Sequence, residues 1–155
     1  MGDQKRRLIL IAGIPGTGKT TLGEFARHHG FVHLGLEDPC LFKHLLHDSS
    51  KFIDDMLDKN VGDVVVTWGF VPSDVGTGIV KEFIAKGFKL VWFDGNRDAA
   101  FRAYIDRATY LFNLQVGRIG DSTFIDPLKP VRVNSFDENG KFKPPAVILE
   151  EIEKG

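Results

Sequence analysis

Apolar residues in this chain fall into short unbroken runs separated by stretches of helical spacing. Leu8 to Ala12 and Asp63 to Trp68 are the clearest runs, and their composition predicts strands buried on both faces. Phe88 to Phe93 and the shorter Phe31 to Leu34 predict two more strands. Val131 to Phe136 alternates with polar residues, which predicts a strand at a sheet edge. Between these runs the period changes. Leu22, Phe25 and Ala26 share one face of a helix from about Lys19 to His29. Leu41, Phe42, Leu45 and Leu46, then Phe52, Ile53, Met56 and Leu57, keep helical spacing with a break near Asp48-Ser49-Ser50. Asp38 is placed to cap this helix, with Pro39 at its first position. A helix capped by Ser73 runs to about Lys86 and stops at Gly87, and another spans about Asp98 to Leu111. Pro144-Pro145 opens the last helix, with Val147, Ile148 and Ile152 predicted to face inward. The segment from Asn113 to Lys129 has no clean period and reads as mobile, with room for a short helix.

Strands alternating with helices imply an α/β domain with a parallel sheet covered on both faces. At 155 residues the chain reads as a single domain, 1–155. Ligands of such folds bind beyond the carboxyl ends of the strands. That rule groups Gly13–Thr20, Glu37–Asp38, Trp68–Phe70 and Asp94–Arg97 at one rim.

The first of these segments carries the strongest chemistry. Gly13-Ile14-Pro15-Gly16-Thr17-Gly18-Lys19-Thr20 fits the phosphate-loop pattern and lies between a predicted strand and a predicted helix. Its glycines allow consecutive N–H groups to converge on phosphate oxygens, and the helix start adds further donors. Lys19 brings a full charge to the β- and γ-phosphates, and the Thr20 hydroxyl is placed to ligate Mg²⁺. Thr21 completes the nucleotide-binding set, Gly13 to Thr21.

Composition changes this picture in three places. A net charge of −1 provides no global basic field for nucleic acid or an anionic membrane. Cys40 is the only cysteine, so no intramolecular disulfide and no multi-cysteine metal site exist. No apolar run is long enough to span a membrane. A soluble cytoplasmic protein is the expectation.

With GIPGTGKTTL in place, the chain resembles the small P-loop kinases: shikimate, gluconate and nucleotide kinases, and the kinase domain of polynucleotide kinases. The resemblance implies a three-layer α/β/α P-loop NTPase fold with a five-stranded parallel sheet in the order 2-3-1-4-5. It implies ATP and Mg²⁺ as cofactors, and transfer of the γ-phosphate to a hydroxyl or phosphate of a small-molecule acceptor. An acid after the second strand binds the acceptor or a Mg²⁺ water in several members; Asp38 matches it, with Glu37 beside it. Asp38 is thus a candidate for catalysis and for the metal, alongside Thr20. Arginines after the fourth strand close on the phosphates, which makes Arg102, Arg107 and Arg118 candidates, the last inside a lid at about 113–129. Two features depart from the family. The third strand ends in Thr67-Trp68-Gly69-Phe70 without the Walker B acid, leaving Thr67 a water-mediated part at most, and Arg102 and Arg107 are five apart rather than four.

Each candidate has a plainer reading. Asp38 is a natural helix cap, and Glu37 a solvated side chain. Asp98 and Arg102 fit a surface i,i+4 pair. Trp68 and Phe70 suit core packing as well as stacking on an aromatic acceptor. His44 and His47 lie three apart with no third metal ligand evident. The functional expectation is an ATP-dependent kinase of a small acceptor. The alternatives are a nucleotide-dependent binding or regulatory module, and a polynucleotide 5′-hydroxyl kinase, against which the near-neutral charge argues.

Overall fold

The structure, a computed structural model, describes residues 5–14, 17–69, 73–94, 96–103 and 125–155. In chain order the elements are β1 (Leu8–Gly13), α1 (Lys19–Arg27), β2 (Val32–Gly35), α2 (Pro39–His47), α3 (Ser49–Lys59), β3 (Val64–Trp68), α4 (Asp74–Ala85) and β4 (Lys89–Asp94). α5 follows, described over 97–103, and then β5 (Val131–Asn134) and α6 (Pro145–Lys154). The five strands form one parallel sheet in the order β2-β3-β1-β4-β5. This is the order that the resemblance implied.

β1 and β3 sit in the middle of the sheet, which is why their sequences are apolar on both faces. All five residues of β3 are buried, as are five of the six in β1. Alternate residues feed two cores. Ile9, Ile11, Val65 and Val91 pack with Leu22 and Ala26 of α1 and with Ile148 and Ile152 of α6. Leu10, Val64, Val66 and Leu90 pack on the other face with Leu45, Ile53, Ile79 and Phe83 of α2, α3 and α4. β2 and β5 form the edges and are only partly buried.

Two local expectations change. Val147 is 41 % exposed. α6 begins at Pro145, so Ile148 and Ile152, four apart, define its inward face and Val147 falls about 100° to one side. β5 ends at Asn134, whose Oδ1 accepts from the Phe136 amide at 3.0 Å and turns the chain. Phe136 then bridges antiparallel to Phe142 across the turn that begins at Asp137. α5 opens at 97, close to the expected start, with Asn96 Oδ1 capping the Ala99 amide at 2.9 Å. Of the segment 113–129, residues 113–124 lie outside the described residues. The rest is anchored: Ile125 is fully buried and Asp126–Leu128 forms a turn of 3₁₀ helix.

Among the described residues no helix is long and apolar enough to cross a membrane.

Candidate active site

The loop leaves β1 through a position only glycine fills. Gly13 has φ 148°, and a Cβ there would sit 2.2 Å from the Phe93 carbonyl oxygen on β4. The close approach holds the loop against the neighbouring strand, where the Ile14 amide donates to that same oxygen at 3.3 Å. Gly13→Ala is expected to lower stability by about 2 kcal/mol or more, read as a fall in the denaturation midpoint, because both the backbone angle and the contact are lost.

Beyond the loop, α1 opens differently from its neighbours. Asp38, Asp48 and Ser73 cap α2, α3 and α4 with side-chain oxygens. α1 has Gly18 at its cap, in the left-handed conformation at φ 84°, with no side-chain cap and no acid in its first turn. Lys19 is there instead. Its Nζ donates to the Ile14 carbonyl at 2.9 Å, and Thr17 Oγ1 donates to the same oxygen at 2.8 Å. Lys19 and Thr17 are buried, whereas Thr20 and Thr21 are exposed. A helix start with its dipole uncapped and a lysine curled beneath it fits an anion, and the exposed Thr20 hydroxyl offers the hard oxygen that Mg²⁺ takes. Pro15 and Gly16 lie outside the described residues.

The two adjacent acids after β2 do different things. Asp38 Oδ1 accepts from the Cys40 amide at 2.8 Å and the Leu41 amide at 3.4 Å, so it caps α2. Glu37 reaches across to β3, where Oε1 accepts from the Gly69 amide at 3.0 Å. Glu37 lines a pocket of about 520 Å³ together with Leu36, Pro39, Phe42, Leu46, Trp68, Ser73 and Ile79; Asp38 does not. Trp68 is 6 % exposed, its ring 5.9 Å from that of Phe42, so most of it is core and only an edge serves the pocket. Phe70 lies outside the described residues.

Thr67 is fully buried at the end of β3 and paired to Ile11 of β1. Its Oγ1 is 2.9 Å from His33 Nε2, and His33 Nδ1 is 3.0 Å from Glu24 Oε1. The hydrogen bond from His33, aided by Arg27, holds the Glu24 carboxyl below the usual carboxylate range. None of this was legible from spacing, because the three residues sit on α1, β2 and β3.

Arg102 is exposed on α5 and donates from Nε to the Asp98 carbonyl at 3.3 Å; Arg107 and Arg118 lie outside the described residues. The turn after β5 supplies a residue that sequence reasoning missed. A Cβ at Gly18 would lie 3.3 Å from the Phe142 ring, which is 50 % exposed and stacked on Phe136 at 4.7 Å. The available signal was an aromatic between Lys141 and Lys143, just after a glycine turn. The same turn places Gly140 against Arg102. His44 and His47 are exposed on α2, and no cluster of three or more metal-ligating side chains occurs among the described residues.

A glycine-rich loop leaving β1, helices on both faces of a 2-3-1-4-5 parallel sheet, and a pocket at the end of the neighbouring strand together specify the architecture. This is the fold of the small P-loop kinases. A gluconokinase from Sinorhizobium meliloti 1021 shares it with a TM-score of 0.57 at 17 % identity, the match covering 96 % of this chain and 91 % of that one. A sugar kinase from Janibacter sp. HTCC2649 gives 0.60 at 14 %, with the same coverage of 96 % and 91 %. Shikimate kinase from Bacteroides thetaiotaomicron gives 0.56 at 16 %, over 96 % and 95 %. Neither a protein-family profile nor a curated protein matches the chain. The fold is therefore shared at low sequence identity.

Proposed function

We propose that the chain is an ATP- and Mg²⁺-dependent phosphotransferase acting on a hydroxyl or phosphate of a small acceptor. One observation carries the reading. β1 and β3 are paired, with Ala12 opposite Trp68, and beyond their carboxyl ends lie the phosphate loop and the pocket lined by Glu37. Donor and acceptor sites on adjacent strand ends are what in-line phosphoryl transfer needs. A volume of about 520 Å³ is within the range of small-molecule sites.

In this reading the loop amides and the start of α1 hold the phosphates. The Lys19 ammonium exchanges the Ile14 carbonyl for phosphate oxygens. Thr20 holds Mg²⁺, which when bound would draw charge from the phosphates. Glu37, steadied by the Gly69 amide, accepts the proton of the acceptor hydroxyl as its oxygen bonds to the γ-phosphorus and the bond from that phosphorus to the β–γ bridging oxygen breaks, releasing ADP. Asp38 keeps α2 in register beneath the acceptor; its second oxygen leaves it a lesser candidate for a Mg²⁺ water. Arg102, with Arg107 and Arg118, provides the cations to close over the phosphates.

Phe142 borders the loop as a half-exposed ring, suited to a nucleobase face. Phe142→Ala is expected to raise the Kd for ATP about tenfold, as loss of one aromatic stack would.

A second reading has its own support. Thr67 occupies the place where an acid would complete the metal site, and this favours a nucleotide-dependent binding module with little transfer. Thermal unfolding with ligands separates the two. ATP·Mg²⁺ at 100 times its Kd should add about 2.7 kcal/mol of stability, and an acceptor of the right class should add its own increment. Stabilisation by ATP·Mg²⁺ with no response to any sugar, hydroxy acid, nucleoside or nucleotide favours the binding module. No response to ATP·Mg²⁺ removes both readings.

A further inference from the structure

Under the first turns of α1, a short series of hydrogen bonds runs inward from exposed Glu24 and ends on the residue that stands where a β3 carboxylate is missing. Glu24 Oε1 is 3.0 Å from His33 Nδ1, and His33 Nε2 is 2.9 Å from Thr67 Oγ1. The His33 side chain is 6 % exposed and Thr67 is fully buried. We infer that His33, held by Glu24, fixes the Thr67 hydroxyl as a hydrogen-bond acceptor for the water shell of Mg²⁺ at Thr20, so that the three residues stand in for the absent carboxylate. The inference rests on the nucleotide-binding reading above and goes beyond it by naming His33 as a positioning residue.

The direction of the hydrogen bonds follows from the donor inventory. An ionised Glu24 only accepts, so His33 Nδ1 carries the proton. When the ring carries that one proton, Nε2 is bare and can only accept, so the Thr67 hydroxyl donates to it. The Thr67 oxygen is left with lone pairs turned away from the ring. A threonine without this partner is free to present its proton instead, and a proton aimed at a cation's water shell is the wrong polarity. In P-loop NTPases a carboxylate at this strand end does the same job by being acceptor-only. The Glu24 charge strengthens Nε2 as an acceptor through the ring, as outer partners of metal-site histidines do.

Gly23 supports the assignment independently. A glycine inside a nine-residue helix costs stability against alanine. Here a Cβ would lie 2.3 Å from His33 Nε2, so the glycine leaves the space the imidazole occupies. Gly23 is three residues after Thr20 and therefore one turn along the same face of α1. That places His33 one turn along α1 from the residue proposed to hold the metal, with Thr67 hydrogen-bonded to it. Charged groups nearby include Arg27, paired with Glu24 at 3.0 Å, and Glu37, whose Oε2 flanks Gly35 as Thr67 Oγ1 does.

The test is the ATP affinity of the full chain, titrated once with Mg²⁺ and once with EDTA. Wild type should bind more tightly with Mg²⁺. Thr67→Val should shrink that Mg²⁺-dependent gain about tenfold, within the range for outer partners of metal sites, while the EDTA affinity stays within about twofold. Thr67→Ser, which keeps the hydroxyl, should retain the gain. His33→Leu and Gly23→Ala should behave like Thr67→Val, the latter by displacing the ring without altering either hydrogen-bonding side chain. In the unliganded wild type, ¹⁵N–¹H correlation of the imidazole nitrogens should show His33 as the Nδ1–H tautomer. An Nε2–H tautomer, or a full Mg²⁺ gain in Gly23→Ala and Thr67→Val, overturns the inference. Should Thr67→Val not fold, Gly23→Ala and the tautomer decide it alone. A wild type that binds no ATP under either condition sinks the nucleotide reading itself and the inference with it. A wild type that shows the Mg²⁺ gain while the variants keep it sinks only the inference.

Discussion

Lys19→Ala is expected to reduce phosphoryl transfer about a thousandfold or more while leaving the melting temperature almost unchanged. The two halves of that result have separate physical grounds. Lys19 Nζ donates to the Ile14 carbonyl, but that oxygen also accepts from Thr17 Oγ1, so removing the lysine does not orphan a buried acceptor. The Ile14 carbonyl therefore stays satisfied when the lysine is removed. Function loses a full positive charge placed at the start of an uncapped helix, where triphosphate charge would collect. Lys19→Arg should restore little, because the buried curl against Ile14 suits a single-point ammonium rather than a planar fork. Initial rates and thermal unfolding, measured on the same preparations, check both halves. A large drop in melting temperature would mean that Lys19 is structural.

The second large effect separates two neighbouring acids. Glu37→Gln is expected to lower kcat about a hundredfold with KM for ATP little changed, since the amide keeps the Gly69 contact but cannot take the acceptor's proton. Asp38→Asn should reduce kcat by no more than a fewfold, because asparagine caps a helix as well as aspartate does. Asp38→Ala should instead cost about 1 kcal/mol of stability through the lost bonds to the Cys40 and Leu41 amides. Steady-state kinetics of the four proteins, with denaturant melts alongside, give the comparison. The reverse order, with Asp38→Asn inactive and Glu37→Gln active, would return the acceptor role to Asp38.

What was readable in the sequence, and what was not, divides along the reach of the interactions. β1 and β3 announced themselves because central parallel strands are apolar on both faces, and the loop because its glycines, Lys19 and Thr20 are contiguous. The caps at Asp38, Asp48 and Ser73 act over two or three residues, and Asp38 and Ser73 were legible as caps in the same way. The sheet order came with the family resemblance, since periodicity says which residues are strands but not which strands are neighbours. Glu37 illustrates the limit. Its anchor is the Gly69 amide, 32 positions away, and only the adjacency of β2 and β3 brings the two together. In the sequence alone Asp38, preceding a proline, looked the more purposeful of the pair. The group of Glu24, His33 and Thr67 is less legible still, because it needs α1 to lie on β2 and β3 at one particular height. Its one local trace was Gly23 inside a helix. Phe142 came to the loop through the turn after β5, where an edge strand had been expected to run on to Phe136.

The account stands most directly on transfer of labelled γ-phosphate from ATP·Mg²⁺ to a panel of sugars, hydroxy acids, nucleosides, nucleotides and a 5′-hydroxyl oligonucleotide. It predicts label on one small acceptor class, dependent on Mg²⁺, lost in Lys19→Ala and sharply reduced in Glu37→Gln. Label on the oligonucleotide alone would move the acceptor from small molecule to polynucleotide. Tight ATP binding with no labelled acceptor anywhere in the panel would contradict the kinase account and leave the nucleotide-dependent binding module in its place.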